Sequence, residues 1–148
     1  MIQLAETAAR LIRAQSERIY PDECCGVLLG TVLEDDDRSA AAALPIDNAR
    51  RDGEAYHRFV IEPEDFLRAE LAARARGLDV IGVYHSHPDH PAAPSDYDRE
   101  HALPFYSYVI VAVAKGKSAE LKSYTLSNDR KFMEEEQITW EDSETSSS

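Results

Sequence analysis

Leu78-Asp79-Val80-Ile81-Gly82-Val83-Tyr84-His85-Ser86-His87-Pro88 is an apolar run that stops abruptly in His-Ser-His. Its low polar content predicts a strand buried on both faces, central in a sheet. A proline-rich turn, Asp89-His90-Pro91-Ala92-Ala93-Pro94, follows. Ser95-Asp96-Tyr97-Asp98 then opens a short helix running to about His101, because Ser-x-x-Asp matches a capping box. Side chains two apart on a strand share a side, so His85 and His87 can face one point. Ligand sites in layered α/β folds lie beyond the carboxyl ends of central strands, which is where this pair falls.

That arrangement predicts a mononuclear zinc site. Zinc accepts two imidazole nitrogens and one carboxylate oxygen, and an open fourth position takes water. Asp98 is within reach of the two histidines through one loop that Pro88, Pro91 and Pro94 stiffen. Such a site activates water and polarises a carbonyl. A general base is also needed, and Glu23, Glu62, Asp89 and Glu100 are all candidates that spacing does not separate. Ser86 lies between the ligands and should point away from the metal in a structural role. His57, His90 and His101 have no partner pattern and read as surface histidines.

Around this centre, residues 2–18 carry Leu4, Ala8, Leu11 and Ile12 at helical spacing and predict an amphipathic helix. Tyr20-Pro21-Asp22 breaks it. Cys25 to Leu33 is a nearly continuous apolar strand that pairs as a hairpin with residues 40–46 across the acidic turn 34–37. Residues 47–58 are polar and aperiodic, a surface loop, and Phe59-Val60-Ile61 reads as a short strand. Helix 63–76 has Pro63 in its first turn, Glu64 and Asp65 at the positive end of its dipole and Gly77 just past its end. Tyr106 to Ala114 is a second buried strand, and residues 120–126 return as an edge strand. Residues 131–140 read as weakly ordered strand or coil, and 141–148 as a disordered acidic, serine-rich tail. Interleaved strands and helices give an α/β (α+β) layered fold, a mixed sheet flanked by helices, in one domain spanning residues 1–140.

The chain has 148 residues, is 43% hydrophobic and 30% charged, and carries a net charge of −12. That charge argues against nucleic acid, whose phosphates it would repel. No apolar run reaches the roughly 20 residues of a membrane span, and the first residues lack a secretory pattern, so the expected location is cytoplasmic. The two cysteines, Cys24 and Cys25, are adjacent and have no other thiol to pair with. They read as reduced and structural, ahead of a rival cysteine-hydrolase reading.

Glu23-Cys24-Cys25-Gly26, His85-Ser86-His87-Pro88 and, after six residues, Ser95-x-x-Asp98 together resemble the JAMM motif of MPN-domain (Mov34/PAD-type) zinc metalloproteases, in their small prokaryotic stand-alone form. The resemblance implies that His85, His87 and Asp98 bind Zn2+. It selects Glu23 as the base that then protonates the leaving amine, and gives Ser95 the role of oxyanion donor. It implies a fold similar to that of cytidine deaminases, although the His-x-Glu and Pro-Cys-x-x-Cys of a deaminase are absent here. It further implies cleavage of isopeptide or peptide bonds at the C-terminus of ubiquitin-like or sulfur-carrier proteins, with loop 47–58 as the first family insertion and no long second insertion. The rival is a non-catalytic MPN-type binding or scaffold module. Oligomeric state is not legible.

Overall fold

A computed structural model describes residues 1–48 and 59–141. Its elements are β1 (Ile2–Ala5), α1 (Glu6–Ile19), β2 (Cys25–Val32), β3 (Arg38–Ile46), α2 (Pro63–Ala75), β4 (Asp79–Pro88), α3 (Asp96–His101), β5 (Ser107–Ala114), β6 (Lys117–Leu126), β7 (Met133–Glu136) and β8 (Ile138–Glu141). All eight strands form one sheet in the order β7-β6-β5-β4-β2-β3-β1-β8. β4 and β5 are parallel, as are β1 with β3 and β1 with β8, and the remaining pairs are antiparallel. This is the mixed, helix-flanked α+β architecture expected.

The sheet is curled. β7 and β8 lie at opposite edges, yet Gln137 alone separates them in sequence. A flat eight-stranded sheet would be about 34 Å wide at ~4.8 Å per strand, far beyond the reach of one residue. The edges meet instead: Ile2 N donates to Gln137 O at 2.9 Å, and the Met1 amino group lies 3.3 Å from the Glu136 carboxylate.

Each face of the sheet has its own apolar cover. Leu28, Ile81, Tyr84, Val109 and Val111 join Ile2, Leu4, Ala8 and Ile12 in the cluster under α1. Val27 and Leu29 pack with Ala69 and Ala73 under α2. The β2 run is apolar throughout because alternate residues serve opposite faces. Pairing of β2 with β4 shifts between Leu28–Gly82 and Leu29–Val80, leaving Ile81 as a bulge. That extra residue puts Ile81 and Tyr84 in the same cluster and His85 on the other face, with Val83.

Four expectations need correction. The helix expected over 2–18 is a strand followed by a helix: Ile2 and Leu4 alternate and pair with β3 and β8, and Leu4 also fits the spacing of the helix behind it. Phe59-Val60-Ile61 is not a strand; Val60 N donates to the Asn48 side chain at 3.0 Å and not to a ladder. Residues 120–126 are not an edge, because β7 pairs outside β6. Residues 131–140 contain most of two ordered strands, including one that adds to β1 across the sheet. The remainder of loop 47–58 beyond Asn48, and the tail past Glu141, lie outside the described residues. Helix α2 begins at Pro63, and Gly77 takes the left-handed conformation, φ 71°, expected past its end.

Candidate metal centre and active site

β4 continues through the His-Ser-His segment to Pro88, so both histidines are held by the sheet and not by a loop. β2 flanks them on one side, with Cys25 opposite His85, and β5 on the other. Their Nε2 atoms lie 3.0 Å apart. Asp98 reaches them from α3, with Oδ1 3.2 Å from His85 Nε2 and Oδ2 3.2 Å from His87 Nε2. Nothing in the spacing of Asp98 beyond a possible cap forces this meeting; the turn 89–94 makes it.

The donor set fits a metal ion. Bonds of about 2.0–2.1 Å in a tetrahedron put neighbouring donor atoms ~3.3 Å apart, close to the three separations here. His87 Nδ1 lies 3.0 Å from Pro91 O, so that nitrogen carries the proton and Nε2 presents a lone pair to the cluster. His85 Nδ1 is buried without a hydrogen-bond partner among the described residues. Packing sets that ring instead, with Phe59 stacked on it at a centroid distance of 4.5 Å. Burial holds the His85 imidazole below its ordinary pKa, against the pull of Asp98. Burial also opposes ionisation of Asp98, but His85 first, and then the Ser95 amide, outweigh it and hold the carboxyl below the usual carboxylate range.

Ser95 is the N-cap of α3. Its Oγ accepts from Asp98 N at 3.1 Å, and its own N–H donates to Asp98 Oδ2 at 2.9 Å, a complete capping box. Asp98 is therefore a cap residue and a ligand candidate at once. The bond from Asp98 N occupies a lone pair of the Ser95 hydroxyl and leaves its proton to donate elsewhere.

Of the four candidate bases, Glu23 alone is buried, at 5% exposure. It lies two residues before the start of β2. Cys24 N donates to Ser86 Oγ at 2.9 Å and Ser86 N to Cys24 O at 3.1 Å, which sets Glu23 alongside the His-Ser-His segment. Ser86 thus points away from the ligands, as expected, and registers the Glu23 segment against them. Behind it, Tyr84 Oη donates to Gln15 Oε1 at 2.5 Å and Gln15 Nε2 to Cys25 O at 3.0 Å. Gly26 leaves room for the Tyr84 ring, which a Cβ there would strike. Glu62 and Glu100 are exposed. Asp89 is exposed and held below the usual carboxylate range, first by the Tyr20 hydroxyl and then by the Lys115 amide.

A cavity of about 260 Å³ opens beside the cluster. His85 and Asp98 line it together with Phe59, Phe66, Tyr97 and Tyr106, so it is chiefly apolar. His101, expected on the surface, also borders it, stacked on Tyr97 with ring centroids 4.0 Å apart. His90 is exposed, and His57 is outside the described residues. Both cysteines are buried and unpaired, and burial raises the Cys24 thiol to about 11 and the Cys25 thiol further. Neither is poised as a nucleophile. The sequence did not reveal the Pro91 carbonyl, the Phe59 stack or the Asp89–Tyr20 pair. Each depends on a turn or loop whose path has no periodic signal.

The family described as prokaryotic homologs of the JAB domain matches residues 5–127. The desampylase of Haloferax volcanii is 38% identical over 91 residues, which cover 61% of this chain and 62% of that protein. The match therefore spans less than two thirds of that relative. The CysO-cysteine peptidase of Mycobacterium tuberculosis is 32% identical over 114 residues, 76% of this chain and 74% of that protein. A solution structure of a Desulfitobacterium hafniense protein superposes with a TM-score of 0.82 at 29% identity, covering 96% of this chain and 94% of that one.

Proposed function

The chain belongs to the prokaryotic homologs of the JAB domain, and from that membership we propose that it is a zinc-dependent peptidase or isopeptidase. Its substrate class is the C-terminus of ubiquitin-like or sulfur-carrier proteins. The observation that carries this reading is the convergence of His85, His87 and Asp98 beside the buried Glu23. Relatives named desampylase and CysO-cysteine peptidase support the substrate class.

His85 Nε2, His87 Nε2 and an Asp98 oxygen would hold the ion. Two imidazoles and one carboxylate suit zinc. When bound, the metal supplies Lewis-acid polarisation and lowers the pKa of water to about 7. Glu23 takes the proton released as water adds to the scissile carbonyl, and then hands it to the amine as the C–N bond breaks. Ser95 donates its hydroxyl hydrogen to the developing oxyanion. Asp98 holds Ser95 in place through the capping box. The products are a carrier ending in a free carboxylate and an amine.

No helix among the described residues is long and apolar enough to cross a membrane. The two free thiols support a reducing, cytoplasmic setting. The one continuous sheet supports reading residues 1–140 as a single domain. The test is elemental analysis of the purified chain, with incubation against a ubiquitin-like protein extended past its terminal Gly-Gly. About one zinc per chain is expected, together with cleavage after the second glycine that chelation abolishes. Glu23→Ala should retain the metal and lose turnover. Metal binding without cleavage of any carrier would leave only the scaffold reading.

A further inference from the structure

Asp89 has a backbone φ of 56°, a region that non-glycine residues seldom occupy. Three hydrogen bonds hold it there. Its N–H donates to Val113 O at 2.6 Å, and its carboxylate accepts from Lys115 N at 2.8 Å and from Tyr20 Oη at 2.6 Å. These partners come from the end of β5, the β5–β6 hairpin and the connection between α1 and β2. Tyr20 stands three residues before Glu23, and Asp89 two residues after His87. The turn that Asp89 begins also delivers the Pro91 carbonyl to His87 Nδ1. At the buried end, Ser86 and Cys24 already tie the two segments together. Beyond the last rung of that ladder, Tyr20–Asp89 adds a side-chain bond between them.

We infer that the Tyr20–Asp89 clasp is a positioning device for the reaction: it holds residues 20–23 and 88–91 at a fixed separation, setting Glu23 relative to the ligands and fixing the ring of His87 through Pro91. This takes the cluster as the metallohydrolase centre proposed above. Neither residue touches the substrate. Asp89, a candidate base by sequence, acts here through the geometry of others. Hydrogen-bond partners that orient a ligating histidine typically affect metal affinity or activity by about 10–100-fold when removed.

The experiment compares wild type, Tyr20→Phe, Asp89→Ala and Asp89→Asn, each folded as judged by circular dichroism, for zinc affinity and for kcat and KM on a Gly-Gly-extended carrier. Tyr20→Phe frees the Glu23 segment and leaves the 88–91 turn its other bonds. It should lower kcat by roughly 10-fold, with KM and zinc affinity within about twofold. Asp89→Ala should weaken zinc binding about 10–100-fold as well. Asp89→Asn tolerates the left-handed backbone and keeps an acceptor for Lys115 N, so it should recover most of the zinc affinity. Tyr20→Phe and Asp89→Ala both within twofold of wild type in kcat and zinc affinity would overturn the inference. So would losses that merely track the fraction of folded protein. If wild-type protein loaded with zinc cleaves no carrier, the proposed function fails, but the zinc affinities still decide whether the clasp orients His87.

Discussion

Replacing Ser95 separates the capping role that the structure shows from the oxyanion role proposed above for the same hydroxyl. As N-cap, Ser95 Oγ accepts from Asp98 N at 3.1 Å. Loss of such a cap to alanine costs about 1 kcal/mol, and loss to glycine only a few tenths. The other half of the box, Ser95 N to Asp98 Oδ2, is a backbone donation that survives either change. For a chain of this length, 1 kcal/mol corresponds to roughly 2–4 °C in Tm. In its proposed role as oxyanion donor, the same hydroxyl would be worth about 10²–10³ in kcat, or ~3–4 kcal/mol of barrier. Ser95→Ala should therefore lower Tm by a few degrees and kcat by about 10²–10³. Ser95→Gly should restore nearly all the stability and none of the rate. Ser95→Thr should keep much of both. The assay is scanning calorimetry and single-turnover cleavage of a Gly-Gly-extended carrier, with zinc content measured on the same samples. If Ser95→Gly turns over within threefold of wild type, the hydroxyl is a cap and nothing more. If the rate loss follows the zinc content, it runs through Asp98 and the oxyanion assignment is wrong.

Three further outcomes follow from the same geometry. Asp98→Asn keeps an oxygen for the Ser95 amide but loses the charge that the fold favours at this carboxylate and is a poorer ligand, so the metal-free variant should melt below wild type at neutral pH and retain little zinc on elemental analysis; wild-type zinc content would remove Asp98 from the ligand set. Cys24 and Cys25 are buried with raised thiol pKa values, so iodoacetamide near neutral pH should neither label the native protein nor slow it; labelling with loss of activity would revive a cysteine mechanism. Metal-free protein should lose stability on acidification in two stages. His85 has its folded pKa lowered by burial, so below about 6.5 the unfolded chain binds a proton that the fold refuses, at up to ~1.4 kcal/mol per pH unit. Asp98, with its folded pKa depressed, adds a second loss below about pH 4 as the unfolded carboxyl protonates. Urea unfolding should show the first stage between pH 7 and 5 in wild type and not in His85→Gln. A flat wild-type profile there would contradict the burial effect on His85.

Much of the fold was legible because burial leaves a pattern. Continuous apolar runs marked β2, β4 and β5, and Pro63 with Gly77 marked both ends of α2. The misses at β1, β7 and β8 share one cause: short strands whose identity comes from their partners. Ile2 and Leu4 belong to a strand because β3 and β8 flank them, and helical spacing from Leu4 onward concealed it. β7 is acidic and partly exposed, so its own residues show little preference, and β8 has strand-forming residues but only four of them, partly exposed. They are ordered because a curled sheet brings its two edges together around Gln137.

For the site, the sequence by itself determined which chemical groups are available: two imidazoles at strand spacing, a carboxylate behind a proline turn, a hydroxyl at a helix start and a glutamate ahead of a strand. Those are fixed by residue type and local spacing, which the chain carries in one dimension. Tertiary structure decided which groups meet and how they are held. It set Glu23 beside His-Ser-His through Ser86 and Cys24, turned His87 through the Pro91 carbonyl, and moved Asp89 from candidate base to clasp with Tyr20. Each of those depends on hydrogen bonds between segments dozens of residues apart, or on the path of an aperiodic turn, and neither leaves a periodic trace in sequence.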